Sequence, residues 1–146
     1  MDVDRFNLSI IFIIFLILSG IFSGSEVALF SIDKRKLKEA HKKASLTIDY
    51  ILQLLDTPKR LLVTILIGNT ISNVTLAIIG VDLAIKYASE YNISSNLAVF
   101  IQIVITTILI LFLGEVTPKV LATKNPVAFA KLISIPIYWI SVILYP

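Results

Sequence analysis

The sequence contains no cysteine and a single histidine, His41. Disulfides, thiolate metal sites and cysteine nucleophiles are therefore excluded, and His41 is the one histidine that could serve a serine nucleophile as its base. That histidine falls in a basic stretch, far along the chain from the serines of the apolar blocks, and a glutamate paired with a serine is not a hydrolytic unit. There is no HExxH helix and no glycine-rich phosphate loop, so an enzyme is not expected. Charge is scarce as well: 16% of the 146 residues are Asp, Glu, Lys or Arg, against about 25% in soluble domains. The basic residues flank apolar runs without interleaved aromatics, which speaks against a nucleic-acid partner. No internal repeat and no low-complexity segment is evident.

What the chain does have is apolar sequence in blocks, 57% hydrophobic overall with a mean hydropathy of +0.91. That pattern indicates an all-α integral membrane protein. The first block, "NLSIIFIIFLILSGIFSGSEVALFS", follows the acidic "MDVDRF", whereas a signal peptide would open on basic residues and carry a shorter apolar core. It reads as a retained span over about 8–31, and further spans are expected over about 61–87 and 97–113. Between the first two lies "DKRKLKEAHKKASLTIDYILQLLDTPKR", with eight of the thirteen Lys and Arg residues. Its "LTIDYILQLL" has helical apolar spacing, so a cytosolic amphipathic segment is expected over about 34–58, ended by Pro58. The positive-inside rule places this loop in the cytosol and the amino terminus outside. The last block, about 126–146, is long enough to span, but Pro126, Pro136 and Pro146 interrupt it. Tyr138, Trp139 and Tyr145 suit an interface. A juxtamembrane helix along the cytosolic surface is expected, with a fourth span as the alternative. Because the chain stops at Pro146 without a polar tail, continuation into a longer protein is expected too.

Each span carries small polar residues at a cost. Ser19 and Ser23 are four apart on the first, followed by Ser25 and Glu26, and Asn69 and Asn73 are four apart on the second, with Gly68 and Ser72 beside them. Residues four apart share a helix face. At about 1.5 Å per residue, Ser19 lies roughly 17 Å from Leu8, and Asn69 and Asn73 lie roughly 12 and 18 Å from Leu61, so both pairs meet near the middle of a ~30 Å core. Gly114 and Glu115 close the third apolar run and come out nearer the cytosolic face. Pro118 has no N–H for the carbonyl four residues earlier, that of Gly114, which is expected to be freed beside the Glu115 carboxylate. Free backbone oxygen at membrane depth is tolerated where it lines a cavity or binds an ion.

Ser19, Ser23, Asn69, Asn73, Gly114 and Glu115 together offer only hard oxygen donors. Such a set suits Mg²⁺, Ca²⁺ or Na⁺ and not zinc, copper or iron. Plainer roles exist for each residue. Serine and glycine mediate helix packing and membrane asparagine acts as interhelical glue, Glu115 can snorkel and pair with Lys119, and Glu26 can be interfacial or paired. Their coincidence on three spans marks an intramembrane polar site.

The stretches "SGIFSGSEVALFSIDKRKL", "LLVTILIGNTISNV" and "LFLGEVTPKVLATKNP" resemble, in that order, the transmembrane domain of the CorC/CNNM (cyclin M-like) magnesium transporter family. The resemblance implies a homodimer of subunits with three transmembrane helices and a juxtamembrane helix, and a Mg²⁺ site whose motifs fall on Ser19, Ser23, Asn69, Asn73, Gly114 and Glu115. It further implies Mg²⁺ efflux in exchange for Na⁺, in the plasma membrane of a prokaryote. The family's bacterial members usually continue into cytosolic CBS domains. This chain does not include them, so nucleotide regulation does not carry over. The competing expectation is a dimeric membrane anchor and sensor for such domains, without ion transport.

Overall fold

The computed structural model describes residues 3–40 and 45–144, so His41, Tyr145 and Pro146 lie outside the described residues. Every regular element among the described residues is helical: α1 (Val3–Phe30), α2 (Lys34–Ala40), α3 (Leu46–Asp56), α4 (Pro58–Glu90), α5 (Ser95–Leu109), a π-helical segment (Ile110–Val116), α6 (Thr117–Lys124) and α7 (Pro126–Leu144).

Local chemistry sets the breaks between them. Asp33 Oδ1 accepts from the Arg35 and Lys36 N–H groups and so caps α2, while Asn125 Oδ1 accepts from the Ala128 N–H at the start of α7. Pro126 and Pro58 each stand at a first helical position, where a missing N–H costs nothing. Pro58 therefore opens α4, and the segment before it holds two helices, α2 and α3. Between α4 and α5 the chain turns within Tyr91–Ser94, where Asn92 takes the left-handed conformation with φ 53°.

Among the described residues, four helices are long and apolar enough to cross a membrane: Val3–Phe30, Pro58–Glu90, the continuous run Ser95–Lys124, and Pro126–Leu144. The helix of the third run continues past residue 113, where the span was expected to end. The chain passes through Pro118 without leaving the helix, because the π segment just before it absorbs the proline. α1 packs along α4 and along the π–α6 half of the third run, and α5 packs on α4. At one end, Arg5 of α1 pairs with Glu90 of α4 and lies over the Tyr87 ring.

The buried apolar core sits at the other end, which carries the basic loop. Phe22, Ala28 and Leu29 of α1 meet Leu37, Ile48, Ile51 and Leu54 of α2 and α3, Leu61 and Ile65 of α4, and Ile133 and Ile137 of α7. Away from this end the long helices expose large apolar side chains, among them Ile13, Ile14 and Ile17 of α1 and Phe100, Ile103 and Ile108 of α5. A helix apolar on its outer face needs a solvent as apolar as itself.

Both ends of α7 stay at the basic end. Phe129 fills the space beside Gly24, under two turns from the end of α1. Twelve residues further along, the Ser141 carbonyl accepts from Nε and Nη2 of Arg60, in the first turn of α4, at 3.3 and 2.8 Å. Between them Tyr138 stacks at a tilt on Tyr50 of α3, with ring centroids 4.8 Å apart.

Candidate functional site

α1 presents Ser19, Ser23 and Glu26 at helical spacing, so a single stripe faces α4 and the third helical run. Ser19 is fully buried and Ser23 is 2% exposed. The Ser19 hydroxyl lies 2.6 Å from Asn73 Oδ1 and 3.1 Å from Asn69 Oδ1. It has one hydrogen to donate, so it serves one of the two amide oxygens at a time. Three oxygens thus crowd together with a single proton among them.

Gly114 lies against the other side of Ser19. A Cβ on Gly114 would stand 2.9 Å from Ser19 Oγ, too close for an unstrained contact. The bare backbone is what lets the third helical run reach the serine. Gly68, one residue before Asn69, allows a similar approach, since a Cβ there would enter the Phe22 ring. Ser23 donates to the backbone carbonyl of Glu115 over 3.4 Å.

All six sequence-derived residues therefore lie along one seam between α1, α4 and the π segment. Gly114 lies at the level of Ser19 along the bundle. Gly114 and Glu115 occupy the interior of a helical run that continues to Lys124.

The π register changes which oxygen Pro118 frees. Thr117 N–H donates to the Phe112 carbonyl, five residues back. Continued to residue 118, that register would serve Leu113, and proline has no N–H to give. The Leu113 carbonyl thus joins that of Gly114 in losing a donor at position 118. α-helical pairing resumes over Thr117–Lys124, which leaves the carbonyls of Leu113, Gly114 and Glu115 to positions 118 and 119, of which only 119 carries an N–H. Ser23 supplements Glu115, and the Leu113 carbonyl faces Gly20, 3.2 Å from where a Cβ would sit. The segment is rich in backbone acceptors and poor in donors.

Two other polar groups are committed elsewhere. Ser25 donates to the Ile21 carbonyl and Ser72 to the Gly68 carbonyl at 2.8 Å, each within its own helix. Lys119 pairs with Glu26 at 3.6 Å, not with Glu115. The half-buried Glu115 carboxylate forms no hydrogen bond or ion pair with any described residue. Among the described residues no three His, Asp or Glu side chains cluster as a metal site would usually require, so any cation here would be held mostly by neutral oxygens and one carboxylate. The sequence did not disclose the π segment or the Glu26–Lys119 pair. Only the short spacing from Glu115 to Pro118 hinted at the first.

A bundle of long apolar helices with a buried oxygen cluster between them defines a polytopic α-helical membrane domain. The chain belongs to the family of the cyclin M transmembrane N-terminal domain (CNNM), which matches residues 10–146. It is similar to a DUF21 domain-containing, chloroplastic protein of Arabidopsis thaliana, with 32% identity over 130 residues, 88% of this chain and 19% of that protein. It is similar also to a UPF0053 protein of Synechocystis, 31% identical over 144 residues, 95% of this chain and 39% of that protein. The UPF0053 inner membrane protein YfjD of Escherichia coli is 27% identical over 109 residues, 75% of this chain and 24% of that protein. The chain thus spans less than two-fifths of the length of each of these relatives.

Proposed function

We propose that this domain transports Mg²⁺ through the seam between α1, α4 and the π segment, by alternating access and in exchange for Na⁺. The observation that carries the reading is the Ser19 hydroxyl set between two amide oxygens, beside a segment with more carbonyls than donors. Such a surplus of oxygen is costly in a membrane unless a cation takes it up. Hard oxygen donors favour Mg²⁺ over the softer metals, and dehydration of Mg²⁺ calls for several ligands at once. Ser19, Ser23, Asn69, Asn73, the backbone at Gly114 and the Glu115 carboxylate are the proposed ligands. A single formal charge keeps affinity modest and release possible.

In this reading α1, α4 and the α5–π–α6 run are the three spans, and α7 lies along the cytosolic surface, a placement supported by both its ends touching the basic end of the bundle. The amino terminus is outside, the membrane is the plasma membrane of a prokaryote, and the working unit is a homodimer in lipid that carries cytosolic CBS domains in a longer protein. No catalytic step and no nucleic acid enter this mechanism.

A second reading has an observation of its own. The Ser19–Asn73 contact is also what interhelical glue looks like, and the domain would then be a dimeric anchor for cytosolic partners. Calorimetry of Mg²⁺ binding to the detergent-solubilised domain separates the two, with Asn73→Ala and Glu115→Gln as variants. Saturable binding by the wild type, lost in both variants, supports transport. A folded wild-type dimer without binding supports the anchor.

A further inference from the structure

We propose that Glu26 is a second cation-binding carboxylate, a loading site at the basic end of the seam, and that Lys119 is its built-in competitor. The inference rests on the transport reading above and extends it to the path by which the ion enters.

The geometry is a matched pair of stripes. On α1, Ser19, Ser23 and Glu26 follow at intervals of four and three residues on one face. On the facing run, Glu115 and Lys119 are four apart. Ser23 meets the Glu115 backbone carbonyl, and one turn further toward the basic loop Glu26 meets Lys119. Glu26 is about 10 Å along the helix from Ser19 and about 4.5 Å from Ser23, by the rise per residue. A cation coming from the basic loop therefore reaches Glu26 before it reaches any of the six inner residues.

The pair is built to open. Its oxygen and nitrogen are 3.6 Å apart, longer than a charge-assisted hydrogen bond, and the Lys119 and Glu26 side chains are 42% and 39% exposed. Such a pair is held weakly. Neither partner has another ion pair among the described residues.

The charge count gives the pair a purpose. With Lys119 on Glu26, the seam carries one uncompensated negative charge, that of Glu115. When a divalent cation displaces the ammonium, Glu26 and Glu115 together supply two negative charges against two positive. A monovalent ion gains only half as much from that displacement. Lys119 then acts as a threshold that a divalent ion clears more readily than a monovalent one. No bond is made or broken in this exchange; the lysine remains protonated and swings into solvent.

The test uses the whole 146-residue domain and MgCl₂ as the probe, with titration calorimetry for the dissociation constant and thermal unfolding for the fold. Glu26→Gln is expected to weaken Mg²⁺ binding by about five-fold and Lys119→Met to strengthen it by about five-fold, the size of one screened charge contact at ~4 Å in water. In the double variant the gain from Lys119→Met is expected to shrink to less than two-fold, because the lysine has nothing left to mask. A purely structural pair predicts the same sign for both single variants, and equal weakening would overturn the proposal. So would a dissociation constant unchanged by Glu26→Gln while Glu115→Gln abolishes binding. That outcome leaves the inner site standing. A wild type that binds no Mg²⁺ removes the inner site, and the loading site with it.

Discussion

Ser19 of α1 and Asn73 of α4, 54 residues apart in sequence, share the shortest side-chain contact of the seam, with 2.6 Å between hydroxyl and amide oxygen. Neither helix holds the cluster alone. The serine is buried only because α4 and the bare backbone at Gly114 close on it from opposite sides.

Replacing Asn73 with aspartate adds a second carboxylate to the oxygen cluster. Mg²⁺ binding is expected to tighten by roughly five- to thirty-fold, on the order of ~1–2 kcal/mol for one added charge in a partly buried site. Turnover in proteoliposomes is expected to fall, because the ion is released less readily. Calorimetry and flux measured side by side check this, and faster transport by the variant would count against a release-limited cycle.

Glu115→Gln is expected to abolish Mg²⁺ binding without loss of fold. The carboxylate has no protein partner among the described residues, so its neutral isostere leaves no group unpaired. The apparent melting temperature in detergent should stay level or rise. A fall of more than a few degrees would assign the carboxylate a structural role.

Pro118→Ala restores one N–H to a segment that lacks donors. That N–H is expected to pair with a carbonyl of the π segment and to weaken Mg²⁺ binding several-fold, with helix content by circular dichroism unchanged or slightly higher. Unchanged affinity would show that the surplus carbonyls do not bind the ion.

Gly68→Ala drives a methyl group into the Phe22 ring. Overpacking of this kind costs about 1–3 kcal/mol, so the variant should unfold at lower temperature. Combining it with Phe22→Leu should recover part of the loss, since the smaller side chain vacates the space.

The placement of α7 can be tested directly because the chain has no cysteine. Single cysteines at Asn125 and Leu144 are expected to react with a membrane-impermeant thiol reagent from the same side as one at Lys34. Reaction of the Leu144 variant from the side of Glu90 would make α7 a fourth span.

The amino-acid sequence by itself determined the class of the protein and the residue types of its candidate site. Apolar blocks of spanning length can be satisfied only in lipid, and polar residues inside them stand out because each is expensive there. The spacing of Ser19 and Ser23, and of Asn69 and Asn73, fixed which residues share a face, because a helix has one period. What the sequence could not disclose are relations between helices. The third helical run continues through Pro118 because a π turn shifts the hydrogen-bond register, and packing sets Gly114 against Ser19. Lys119 has an acidic residue one turn away on its own helix, yet pairs with Glu26 across the seam. Local rules see only neighbours along one chain segment. Which of two carboxylates a lysine meets, and which carbonyl a proline leaves bare, was decided only when α1, α4 and the third helical run packed together.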